Sequence, residues 1–185
     1  MPARAPAEVL KALRAASPSD QRRLERSRLL VLEDAALAEH LARAPEALFL
    51  ALAVTTAEEA QAILDAVQRQ AWAHFHAGAA ERALQLAELV LAAEETQAAM
   101  LYVAAEALQI LHRDLDRAEQ MYGEALANGF DPFWSRFNRA QARAKLGRPG
   151  AAREDLAAAL EIAPDPEAQA RVRASLECLP DQVFA

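Results

Sequence analysis

An all-α fold is predicted by three features of this 185-residue chain. Alanine, leucine, glutamate and arginine dominate, with only five glycines and 5% aromatics, and these side chains lose little rotamer freedom in a helix. Leucines recur at three- and four-residue steps, as in Leu37 with Leu41 and Leu48 with Leu52. Capping residues and prolines then cut the chain at frequent intervals. Hydrophobic residues make up 54%, enough for a buried core without disulfide staples.

Taken in order, the pattern predicts helices near 6–16, 18–31, 33–43 and 45–54. Ser17-Pro18-Ser19-Asp20 supplies a cap hydroxyl, a proline at the first helical position and a carboxylate in the first turn, where the helix dipole favours it. Thr56-Ala57-Glu58-Glu59 has capping-box spacing and opens another helix. In Asn128-Gly129-Phe130-Asp131-Pro132, the glycine ends one helix and Asp131-Pro132 caps the next. Asp165-Pro166-Glu167 repeats that device, and Leu179-Pro180 closes the helix that follows.

Beyond residue 56 the chain is periodic. Gly78-Ala79-Ala80-Glu81-Arg82-Ala83, Arg113-Asp114-Leu115-Asp116-Arg117-Ala118 and Gly147-Arg148-Pro149-Gly150-Ala151-Ala152 align, with their final alanines 35 and then 34 residues apart. Each marks a turn between two helices, so the unit is a helical hairpin used three times. Small residues at Ala71, Ala83, Ala118, Ala140 and Ala152 let paired helices approach closely. Leu84, Leu89, Leu108, Leu115, Leu126, Leu146, Leu156 and Leu160 fill the space between hairpins. The last hairpin needs a cover, which Pro166 to Leu179 provides with Val172, Leu176 and Leu179 turned inward.

This pattern resembles the tetratricopeptide repeat (TPR) family, whose unit is 34 residues long. The third unit is nearest, through Phe137-Asn138-Arg139-Ala140-Gln141-Ala142, Lys145-Leu146-Gly147-Arg148, Ala152, Leu156, Ala159-Leu160 and Ala163-Pro164. The second has Tyr102, Ala118, Tyr122 and Ala125-Leu126, with Glu106 where a small residue is usual. The first has Ala71, His74, Gly78, Ala83 and Leu91, with Val67 in place of the bulky aromatic and Glu95 in place of the closing proline. The resemblance implies a right-handed α-α superhelix of about three hairpins. The domain organisation expected is an N-terminal helical segment over residues 1–55 packing on the array, repeats over 56–164 (about 64–97, 99–132 and 133–164), and a capping helix and tail over 165–185.

The first helix of each hairpin lines a concave groove in that family. The resemblance therefore implies a lining of Gln68, Arg69, Trp72 and His76, then Val103, Ala107 and Ile110, then Trp134, Asn138, Gln141 and Lys145. Aromatic rings with a few amides suit capture of a peptide segment, while the tryptophans and Asn138 equally suit helix–helix packing. The carboxylate clamp of lysine, arginine and asparagine that some members carry is absent, because the corresponding places hold Gln68, Trp72, Ala104, Trp134 and Asn138.

Other functions lack their chemistry. His74 and His76 point to opposite sides of a helix, His40 and His112 stand apart, and no metal-binding or phosphate-binding motif is present. Neither a metal nor a cofactor is expected. Cys178 is the single cysteine and has no base beside it, which suits a structural thiol in a reducing cytoplasm. The longest apolar run, Ala47 to Val54, is too short to span a bilayer, so no integral membrane segment is expected. Of the charge, residues 1–55 carry eight basic and seven acidic side chains, leaving twelve against twenty in an acidic body that repels nucleic acid. Arg22, Arg23, Arg26 and Arg28 form a basic cluster that reads as a solvated helix face or a docking patch. The expectation is a non-catalytic interaction module or adaptor binding a protein or peptide. The alternatives are a self-associating assembly protein, that is a homo-oligomer, and a regulatory subunit of an enzyme.

Overall fold

Tight turns join ten helices over residues 18–180, the part of the chain described by the computed structural model, and no strand occurs among them. The helix expected at 6–16, the Ser17 cap and the tail beyond Pro180 lie outside the described residues. The helices are α1 (Pro18–Leu29), α2 (Asp34–Arg43), α3 (Glu46–Leu52), α4 (Ala57–His76), α5 (Ala80–Ala93), α6 (Ala98–Ile110), α7 (Leu115–Ala127), α8 (Pro132–Lys145), α9 (Pro149–Glu161) and α10 (Pro166–Cys178).

Packing divides the chain into two units between Gln70 and Ala71, inside α4, and not at residue 55 where the repeat pattern begins. The reason is local. The part of α4 before the division is tied to the preceding helices, since Arg26 donates to Glu59 through Nε at 3.0 Å and Arg69 donates to Asp34 at 2.7 Å.

In the first unit α1 packs on α3, with Leu29, Leu37, Leu41, Leu48, Ile63, Leu64 and Val67 buried. Glu25 is buried there too, 3.0 Å from His40 Nε2. The basic cluster is partly spent on such pairs: Arg26 holds Glu59 and Arg28 lies 3.8 Å from Glu25, while Arg22 and Arg23 are exposed. The capping box forms as expected, Thr56 N donating to Glu59 Oε2 at 3.0 Å and Glu59 N to Thr56 Oγ1 at 3.2 Å.

The second unit is a succession of hairpins in which each helix from α5 to α10 packs on the next. Asp131 and Asp165 cap α8 and α10 by accepting from Trp134 N at 3.0 Å and Ala168 N at 2.8 Å. Gly78, Gly129 and Gly147 take positive φ of 75°, 87° and 71° just past a helix end. Each is followed by a backbone N–H that reaches back five residues: Ala79 to His74 O, Phe130 to Ala125 O, and Arg148 to Arg143 O. His112, φ 52°, performs the same turn without a glycine, letting Arg113 N reach Leu108 O at 2.9 Å.

All five small residues expected at the close approaches, Ala71, Ala83, Ala118, Ala140 and Ala152, are buried. Leu84, Leu89, Leu108 and Leu156 are buried as well, whereas Leu115, Leu126, Leu146 and Leu160 are only half-buried. At the far end Phe133, Phe137, Leu156, Ala168 and Val172 form one cluster, with Leu176 and Leu179 packed against it, so α10 covers the last hairpin. The architecture is an all-α helical repeat.

Candidate functional site

Helix α8 has three faces, each with its own task. Phe133, Phe137 and Ala140 turn into the core shared with α9 and α10. A second face carries arginines. Arg139 grips buried Asp155 with two bonds, at 2.8 and 2.6 Å, and Arg143 bridges Asp155 at 2.9 Å and Glu119 at 2.7 Å. Arg136 stands 3.9 Å from the same carboxylate, and Arg148 continues the chain of charge to Glu119 and Asp116. Bonding to Asp155 raises the Arg139 pKa, and the bonds from Arg143 and Arg148 outweigh burial to lower that of Glu119.

The third face is open. Trp134, Gln141 and Lys145 lie seven and four residues apart, which places them within about 40° of one another around the helix. Trp134 is 37% exposed, Gln141 half-buried and Lys145 exposed. Trp134 rests edge-on against Phe133 and Phe137, with ring centroids 5.0 and 6.2 Å away, so it is positioned without being covered. Gln141 and Lys145 open on a recess of about 260 Å³ between α8, α9 and α10. Its floor is Ala140, Ala144 and Leu156, and its far wall is Ser175, Cys178 and Leu179.

Asn138, expected on this open face, is instead buried at 8% exposure. Its amide donates to the Tyr102 hydroxyl at 2.8 Å and to Glu106 Oε1, and the Tyr102 hydroxyl also donates to Glu106 at 3.3 Å. The fully buried Tyr122 hydroxyl lies near the same carboxyl but outside good hydrogen-bond geometry. Burial pushes the Glu106 carboxyl above its ordinary range, against the pull of these donors and of the Lys145 charge, and it pushes both phenols up as well. This cluster joins α6, α7 and α8 and is a packing device.

The remaining expected groove residues separate. Val103 and Ala107 are fully buried, so their side chains fill helix contacts and present no surface; the tight approach of neighbouring helices shields a face that repeat position alone would leave open. Ile110 is 51% exposed. Trp72 is half-buried, stacked on exposed His76 at 5.5 Å and on Tyr102 and Phe130 at 6.2 Å, with Phe75 edge-on at 5.6 Å. Gln68 and Arg69 belong to the first unit, where Arg69 is committed to Asp34. Sequence reasoning missed Ala144, Ser175 and Cys178 as the lining of a recess, because it gives α10 only a covering role. Among the described residues no group of three or more His, Cys, Asp or Glu is placed to hold a metal ion, and no helix is long and apolar enough to cross a membrane.

No protein-family model matches the chain, and no curated protein matches it. Among solved structures it is similar to the type III secretion translocator chaperone SycD of Yersinia enterocolitica, with 19% identity and a TM-score of 0.58. The match covers 71% of this chain and 90% of that one. At this identity the likeness is one of fold, and it agrees with an all-α helical-repeat architecture.

Proposed function

We propose that the chain is a non-catalytic protein-binding module of the TPR type, which holds a segment of another polypeptide along the open face of α8. The carrying observation is the alignment of Trp134, Gln141 and Lys145 on one exposed helix face that ends in an apolar recess. A tryptophan held edge-on by two phenylalanines offers contact area at little entropic cost, and an amide and an ammonium orient what lies across it. The fold likeness to a translocator chaperone supports a holding role toward a protein partner. The arginines of α8 are engaged by carboxylates.

The test is capture from lysate of the source organism with the full chain and with a Trp134→Ala/Gln141→Ala double variant whose helicity is unchanged by circular dichroism. A protein held by the parent chain and lost by the variant is the expected result. A partner held equally by both would move the site off this face and overturn the proposal.

A further inference from the structure

The recess beside Lys145 has a chemistry of its own, and the reading that follows rests on the protein-binding role proposed above. Its volume of about 260 Å³ lies below the roughly 300–1,000 Å³ typical of pockets that engulf a small molecule, and its floor is aliphatic. That size suits one large side chain entering from a longer ligand. On α8 the rim carries two polar side chains, Gln141 and Lys145, and none of the arginines of that helix. Arg136, Arg139 and Arg143 of α8 are paired with Asp155, whereas no carboxylate among the described residues forms an ion pair with the Lys145 ammonium. Gln141 accepts a long bond from Gln109 Nε2 at 3.5 Å. Across the recess the Ser175 hydroxyl spends its proton on the Arg171 carbonyl at 3.0 Å. Lys145 makes no ion pair among the described residues, although its charge acts on the buried Glu106 carboxyl, and an apolar socket rimmed by this ammonium and an amide is complementary to an apolar side chain with a carboxylate beside it.

We propose that this recess is an anchor site for a partner segment that inserts one leucine- or phenylalanine-sized side chain between α8 and α10 and sets a neighbouring Asp or Glu side chain against Lys145. Lysine suits the task, because its flexible stem lies along apolar surface while the charge follows the ligand.

The test uses two fluorescein-labelled 14-residue peptides with blocked termini, identical except that a phenylalanine is followed four residues on by glutamate in one and lysine in the other. Anisotropy titrations are run against the full chain, Lys145→Glu and Ala144→Trp, all checked for helicity. The acidic peptide should bind about fivefold or more tightly than the basic one, and Lys145→Glu should reverse that order. Ala144→Trp, which fills the socket, should weaken the acidic peptide about tenfold, and bound peptide should slow maleimide labelling of Cys178, which lines the wall. Equal affinities, an order unchanged by Lys145→Glu, no binding of either peptide, or an unprotected Cys178 would each overturn the anchor. So would tighter peptide binding by a chain ending at Pro180, which would make its own C-terminal residues the occupant, or a dimer in sedimentation that Ala144→Trp dissolves. Capture that depends on Trp134 while the peptides show no charge preference would overturn this inference and leave the binding-module reading standing.

Discussion

The Asn138 amide donates to the Glu106 carboxylate across adjoining hairpins, so a glutamate at a position the repeat reserves for a small residue is absorbed by a neighbour one unit away. Its donors hold the carboxylate in place while burial opposes its charge. Replacing it with alanine restores the usual small residue but strands Asn138 and Tyr102 in the interior. Glu106→Ala should therefore cost about 2–3 kcal/mol in urea unfolding, where a merely tolerated glutamate would give a gain.

Glu106 also sets a pH dependence. Its folded pKa is raised, so the native state holds more protons than the unfolded state once pH exceeds the ordinary 4.5, and stability falls as pH rises from there to the folded value. Glu106→Gln keeps an acceptor for Asn138 and removes the charge. It should flatten that fall and stabilise the protein at neutral pH by on the order of 1 kcal/mol; denaturant midpoints at acid and neutral pH report both.

Asp155 is 3% exposed and serves two arginines directly. Asp155→Asn keeps the shape and removes the charge that balances half-buried Arg139. Thermal unfolding should show a loss of about 3 kcal/mol, and a loss under 1 kcal/mol would mean that the arginines find other partners.

Gly123 sits inside α7, where alanine would ordinarily gain about 1 kcal/mol. A Cβ there would meet Arg139 Nη1 at 3.2 Å, and that guanidinium is held fast by Asp155. Gly123→Ala should show little gain in the parent chain and about 1 kcal/mol in an Arg139→Ala background. A double-mutant cycle measures the difference.

His112 makes a left-handed turn at φ 52° that glycine makes at Gly78 and Gly147. His112→Gly should stabilise by about 1 kcal/mol, since the strain of a side chain in that region exceeds the entropy that glycine costs. An unchanged midpoint would show that the imidazole offsets its own strain.

Much of this architecture was legible because the cues are local. The Thr56–Glu59 box, the Asp131 and Asp165 caps and the three glycine stops involve residues within a turn of one another, and the buried alanines follow from the repeat period. What stayed hidden depends on distance between elements. Repeat register places Val103 and Ala107 on the first-helix face, but it does not say how closely the next helix approaches, and both are buried. Asn138 reads as a groove amide until Glu106 and Tyr102, more than thirty residues away, are brought beside it. Trp134, Gln141 and Lys145 were legible as one face of α8, while the recess they border needed the packing of α10.

Arg153 of α9 donates to the carbonyls of Leu179 and Pro180 at 3.0 and 2.8 Å, supplying donors to acceptors that a helix end otherwise leaves to water. Repeat arrays ordinarily loosen from their outermost helix inward, giving a gradient of amide exchange. A clasp at the final turn removes the bottom of that gradient, so α10 should open together with α9 as one cooperative step, and the wall of the recess should last as long as its floor.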